Sequence, residues 1–121
     1  MDILIADDDQ VARMYLELAL VSLHHSVTVA ENGAEALELL GQFMFDAVLL
    51  DVEMPVMGGV ETLVNIRANP AFQELRVYAL TAHTREPMLA AIRQAGFSGY
   101  LTKPYGPREL ERLLSEKDHH T

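Results

Sequence analysis

The chain has no cysteine, which excludes a disulfide framework and a thiolate metal site and suits a reducing compartment. No run approaches the ~20 consecutive apolar residues of a membrane span. The N-terminus carries an acid at Asp2 and lacks the basic-then-apolar layout of a secretory signal. Cytoplasm is therefore the expected location. Positive charge is scarce too: 9 Lys and Arg stand against 18 Asp and Glu, for a net charge of −9. With no basic stripe and no apolar span, neither nucleic acid nor membrane is expected as a direct partner. An acidic balance suits a divalent cation, but dispersed surface glutamates give the same total.

What is present is an ordinary globular composition. The 121 residues are 50% hydrophobic and 22% charged, enough for one domain with a buried core. Five short apolar runs recur, at Ile3–Ala6, Val27–Ala30, Ala47–Leu50, Val77–Leu80 and Gly99–Thr102. Four of them lack inside/outside alternation, as strands covered on both faces do. Helix-period segments separate them. Val11, Met14, Leu18 and Val21 make one apolar stripe; Met88, Ile92 and Ala95 make another; Leu110, Leu113 and Leu114 make a third. Gly33 to Gly41 is rich in helix formers, and a further helix is predicted from Gly59 to just before the Asn69-Pro70 breaker. This (βα)₅ alternation, with no linker, repeat or low-complexity tract, predicts a doubly wound α/β domain around a parallel sheet.

In such sheets ligands bind beyond the carboxyl ends of the strands, so the residues after each run matter most. Asp7, Asp8 and Asp9 follow the first run, Asp51 the third, Thr81 the fourth, and Lys103-Pro104 the fifth. The second run is followed by Glu31-Asn32-Gly33, a plain turn into a helix. Two carboxylates ~5 Å apart repel by roughly 3 kcal/mol at an effective dielectric of ~20. A divalent cation reverses that repulsion, and an all-oxygen donor set suits Mg²⁺, with Mn²⁺ as the alternative. A lysine can pair with carboxylate or phosphate, and a threonine hydroxyl can donate to a phosphoryl oxygen. Together these groups suit phosphoryl transfer onto a carboxylate. Each also has a plainer reading when taken alone: Asp7 and Asp8 as helix caps, Thr81 as a strand-end cap, Lys103 as a surface lysine.

Asp7-Asp8, "DAVLLDVEMPVMGG" (46–59), "ALTAH" (79–83) and "GYLTKPY" (99–105) together resemble the receiver domain of two-component response regulators. The intervals agree with that family: 44 residues from Asp7 to Asp51, 30 to Thr81 and 22 more to Lys103. The resemblance covers essentially the whole chain, 1–121, as a single receiver domain, either a stand-alone regulator or an excised piece. It implies a flavodoxin-like three-layer sandwich with strand order 2-1-3-4-5. It also implies that Asp51 accepts a phosphoryl group from a partner histidine kinase or histidine phosphotransfer protein. Asp7, Asp8, Asp51 and the backbone carbonyl of Glu53 would hold the Mg²⁺. Lys103 would contact the phosphoryl group, aimed by a cis Lys103–Pro104 bond; Thr81 and Tyr100 would form the switch, read by a downstream output domain or protein on the face of the fourth helix, fifth strand and fifth helix. Glu53 and His83 would tune dephosphorylation. Such a domain catalyses its own phosphorylation and dephosphorylation without turning over a metabolite.

Asp9 is left to cap the first helix. His24-His25 and His119-His120 lack the partners of a metal site, and Met54 and Met57 read as packing. Two departures stand out. Gly58-Gly59 replaces the Asp-Gly common in relatives, so the loop after Asp51 is expected to be more mobile. Phe97-Ser98 replaces the acidic pair often found in regulators with winged-helix outputs, and that dimer mode is not expected. Two rivals are a haloacid-dehalogenase-like aspartyl-phosphate phosphatase and a phosphorylation-independent interaction module. The first needs a second Asp two after the nucleophile, where this chain has Glu53. A flavin site lacks its phosphate-cradling loop.

Overall fold

In a computed structural model, which describes residues 1–82 and 85–115, the apolar runs become five parallel strands: β1 (Asp2–Ala6), β2 (Ser26–Ala30), β3 (Ala47–Asp51), β4 (Arg76–Thr81) and β5 (Gly99–Thr102). Their order is β2-β1-β3-β4-β5. Between and after them run α1 (Gln10–Ser22), α2 (Gly33–Gln42), α3 (Gly59–Ala68), α4 (Met88–Ala95) and α5 (Pro107–Ser115), with a short 3-10 helix at Pro70–Phe72. The result is the flavodoxin-like three-layer arrangement expected.

Residue parity along the strands builds the two cores. Ile3, Ile5, Ala47, Leu49, Tyr78 and Leu80 face α1 and α5, against Leu16, Leu20, Leu110 and Leu114. Leu4, Ala6, Val48, Leu50 and Val77 face the other way, against Ala36 and Leu40 of α2 and Leu63 and Ile66 of α3. The central strands are thus buried on both sides, which is why their runs do not alternate. Glycine is demanded where α2 meets α3: a Cβ at Gly33 would lie 1.8 Å from Thr62 Oγ1 and 2.8 Å from the Met57 carbonyl.

One predicted stripe is corrected. Val11, Met14, Leu18 and Val21 do not face the core; Val11 is 73% and Leu18 70% exposed. α1 instead buries Leu16, Ala19 and Leu20. The helix is apolar on both faces, so periodicity alone cannot choose between them. The choice is made by the chain leaving β1: Asp9 caps the helix through the Val11 amide, and that phase turns Leu16 and Leu20 onto the sheet. The stripes of α4 and α5 do face inward, with Ile92, Leu110, Leu113 and Leu114 buried.

Candidate functional site

The same parity that builds the core also assembles the site. Asp7 lies two residues past Ile5, Asp51 two past Leu49, and Lys103 two past Leu101, all on the α1/α5 side of the sheet. β1, β3 and the β4–β5 edge end at one level, because β1 pairs Ala6 with Leu50, and β3 pairs Asp51 with Leu80. Three parallel strands therefore deliver two acids and a lysine to one point.

Carboxylate oxygens of Asp7, Asp8 and Asp51 lie within 4.8 Å of one another. Asp7 is fully buried, Asp51 nearly so, and Asp8 is exposed. Lys103 Nζ is 3.1 Å from Asp51 Oδ2 and 3.5 Å from Asp7 Oδ2. Asp51 Oδ1 accepts the Glu53 amide at 3.1 Å, and Asp7 Oδ1 the Asp9 amide at 3.0 Å. Burial pushes the Asp7 carboxyl above the ordinary carboxylate value; the Asp9 amide opposes this, and the charge of Asp51 adds to it. Burial by itself would lower Lys103, but Asp51 and Asp7 outweigh it and hold the ammonium above its ordinary value.

Asp7 Oδ2 is a buried side-chain oxygen with no hydrogen bond, its ion-pair partner Lys103 Nζ standing off at 3.5 Å. Leaving such a group unsatisfied costs on the order of 1–3 kcal/mol, more when charged. A hard divalent cation fits this donor set: it prefers carboxylate oxygen, it would satisfy Asp7 Oδ2, and exposed Asp8 leaves a side open to water ligands.

Thr81 is buried at the end of β4, one position beyond Leu80, the register partner of Asp51. Its carbonyl accepts the Lys103 amide at 2.7 Å. Tyr100 sits across from Ala79, on the opposite parity to Lys103, and is half-buried. It is therefore outside the acidic cluster. His83 lies outside the described residues, as do His119 and His120. Glu53 is exposed. The Lys103–Pro104 bond is cis, as is Glu86–Pro87. Asp9 caps α1 as expected.

The loop from Asp51 to α3 carries several hydrogen bonds of its own. Gly59 N–H donates to the Val52 carbonyl at 3.0 Å, and Gly33 N–H to the Met57 carbonyl at 3.2 Å. A Cβ on Gly59 would lie 2.6 Å from the Asp51 carbonyl, so this glycine permits close approach to the acid. Thr62 Oγ1 donates to the Gly58 carbonyl at 2.7 Å. At the loop's tip Val56 has φ of 67°, and Met57 N–H bonds Pro55 two residues back at 2.6 Å, a strained γ-turn.

Two site neighbours on α1 were not legible in the motifs. Arg13 donates from Nη1 to the Asp7 carbonyl at 2.8 Å. Tyr15 donates to the Tyr105 carbonyl at 3.0 Å, and their rings are tilted 55° with centroids 6.2 Å apart. The sole hint in sequence is that both α1 residues follow the acids within two turns.

Comparison with known proteins agrees with this geometry. The family model for the response regulator receiver domain matches residues 3–115. The chain is 42% identical over 116 residues to an uncharacterized 14.6 kDa protein in the sodA1 3′ region of Leptolyngbya boryana, covering 96% of this chain and 88% of that one. It is 35% identical over 117 residues to the chemotaxis protein CheY-3 of Vibrio cholerae, covering 96% of this chain and 90% of that one. Among solved structures, the receiver domain of the sensor histidine kinase PA1611 from Pseudomonas aeruginosa PAO1, with magnesium coordinated in its active-site cleft, superposes with a TM-score of 0.87 at 33% identity, covering 93% of each chain. With an acidic cluster and a lysine where β1, β3 and β5 end, in a chain matched almost throughout, the protein belongs to the response regulator receiver domain family.

Proposed function

We propose that this chain is a Mg²⁺-dependent phosphoacceptor of two-component signalling, one receiver domain over residues 1–121. The observation that carries this reading is the placement of Asp51: nearly buried, grouped with Asp7 and Asp8, and bonded to Lys103. A carboxylate oxygen of Asp51 attacks the phosphorus of a phosphohistidine on a histidine kinase or phosphotransfer protein. The new O–P bond forms as the P–N bond breaks, and the imidazole leaves with the electron pair. Lys103, already 3.1 Å from Asp51 Oδ2, transfers its contact to a phosphoryl oxygen and neutralises its charge.

Asp7, Asp8, Asp51 and the Glu53 carbonyl would hold Mg²⁺ or Mn²⁺, which supplies charge neutralisation for the transferring group. Thr81, buried one position beyond Leu80, the register partner of Asp51, donates its hydroxyl to the phosphoryl group, and Tyr100 follows it inward. The α4-β5-α5 face then presents the change to an output domain or protein. Glu53 and His83 set the rate at which water reaches the acyl phosphate. The domain works in the cytoplasm and turns over no metabolite; no helix of its described residues is long and apolar enough to cross a membrane.

The test is incubation with acetyl phosphate and Mg²⁺, followed by intact-mass measurement. Wild type is expected to gain one phosphoryl group, and Asp51→Ala none. Equal failure of both proteins would leave an interaction module that works without phosphorylation. Multiple turnovers of a small phosphate ester would point to a phosphatase instead.

A further inference from the structure

The segment that carries Lys103 toward the acids is held at few points. Lys103 N–H donates to the Thr81 carbonyl at 2.7 Å, and Gly106 N–H to Glu109 Oε1 at 2.5 Å. Between them Pro104 has no amide hydrogen to give, and the carbonyl of Tyr105 ties the segment to α1. Its partner is Tyr15 Oη, 3.0 Å away and 90 positions earlier in the chain. The Tyr105 ring packs on the α1/α5 core, and the Tyr15 ring lies against it with centroids 6.2 Å apart. Burial raises the Tyr105 phenol well above its ordinary value, and the charges of Asp7 and Asp51 raise it further.

Tyr15 stands on α1 two residues after Arg13, whose guanidinium grips the Asp7 carbonyl at 2.8 Å. One helix thus holds both sides of the cluster: Arg13 the backbone of an acid, Tyr15 the backbone just beyond the lysine. We infer that Tyr15 is a positioning residue, setting the reach of Lys103 to Asp51 and Asp7 through its hydroxyl bond to Tyr105. It touches no reacting atom. The inference rests on the phosphoacceptor reading above, and gives α1 a part in phosphoryl transfer beyond carrying the end of the acidic triplet.

Tyr15→Phe removes the hydroxyl and keeps the ring, so folding is retained; Leu18→Ala, on the exposed face of the same helix, serves as the control. One hydrogen bond of this type corresponds to a factor of roughly 2 to 10. Phosphoryl uptake from acetyl phosphate at saturating Mg²⁺ is expected to slow by about that factor in Tyr15→Phe, with Mg²⁺ affinity by titration calorimetry unchanged. Hydrogen exchange at the Lys103 amide is expected to quicken by a similar factor, while the Leu50 amide in β3 stays as in wild type. A merely structural role would move Leu50 exchange and Mg²⁺ affinity as well. Uptake and Lys103 exchange equal to wild type in Tyr15→Phe, with wild type itself phosphorylated, would overturn this inference alone. A wild type that takes no phosphoryl group overturns the phosphoacceptor reading, and the role of Tyr15 with it.

Discussion

Asp9 accepts the Val11 amide at the mouth of α1, Asp8 faces solvent, and Asp7 is wholly buried with one carboxylate oxygen left without a hydrogen bond. Three identical side chains in succession are thus separated by the turn from strand to helix. Asp8→Asn is expected to weaken Mg²⁺ binding by at least about tenfold, since loss even of an outer-shell partner costs that much. Asp9→Ala should leave that affinity intact and lower stability by about 1 kcal/mol, the worth of a helix cap. Titration calorimetry and urea unfolding on the two variants separate the roles; equal metal affinities would show that Asp8 is no ligand. Val56 makes a second case at this scale. A β-branched residue at φ of 67° carries about 1–2 kcal/mol of strain, against roughly 0.5–1 kcal/mol of extra chain entropy lost by glycine. Val56→Gly should therefore raise stability by about 0.5–1 kcal/mol, read from the urea midpoint; a lower midpoint would mean the valine makes contacts that outweigh its backbone. No sequence pattern announces that turn, because its strain comes from closing a loop whose ends are fixed by Asp51 and Gly59.

At the scale of the element, the strands were legible and α1 was not. Burial on both faces writes a continuous apolar run into each central strand, and the chemistry follows where the run stops, so Asp7, Asp51, Thr81 and Lys103 could be placed by their position after a run. A helix gives that certainty only when one face is polar. α1 has Val11, Met14, Leu18 and Val21 on one side and Leu16, Ala19 and Leu20 on the other, and the sheet takes the second set. Leu16→Ala is accordingly expected to cost about 2–5 kcal/mol, as for a fully buried leucine. Leu18→Ala should stay within about 0.5 kcal/mol of wild type. Thermal unfolding of both variants decides it, and reversed costs would restore the periodicity reading. Arg13 and Tyr15 stayed hidden for the same reason: their roles depend on which way the helix is turned, and that is fixed by the chain leaving β1 rather than by the helix's own pattern.

For the whole molecule, the acidic cluster ties stability to pH and to cation. Burial raises the Asp7 carboxyl above its ordinary value of 3.8, so between that value and the raised one the folded chain holds a proton that the unfolded chain releases. Stability then falls as pH climbs through that window and stays reduced above it. Lys103 acts in the opposite place. Its folded value lies above the ordinary 10.5, so its contribution is complete at lower pH and is lost only on passing the folded value. Asp7→Asn keeps the shape, removes the buried charge and leaves Lys103 paired with Asp51. Without metal, the variant should therefore gain on wild type between a buffer near the ordinary carboxylate value of 3.8 and one above the raised value, because only wild type ionises Asp7 on that path. Mg²⁺ should reverse the order at the higher pH. A cation at 100 times its dissociation constant stabilises the wild type by about 2.7 kcal/mol, and the variant, lacking a ligand, by less. Urea midpoints of both proteins at the two pH values, with and without Mg²⁺, give the full comparison. Parallel midpoints under all four conditions would mean that the buried carboxylate is satisfied without a cation and that the cluster is not built for one.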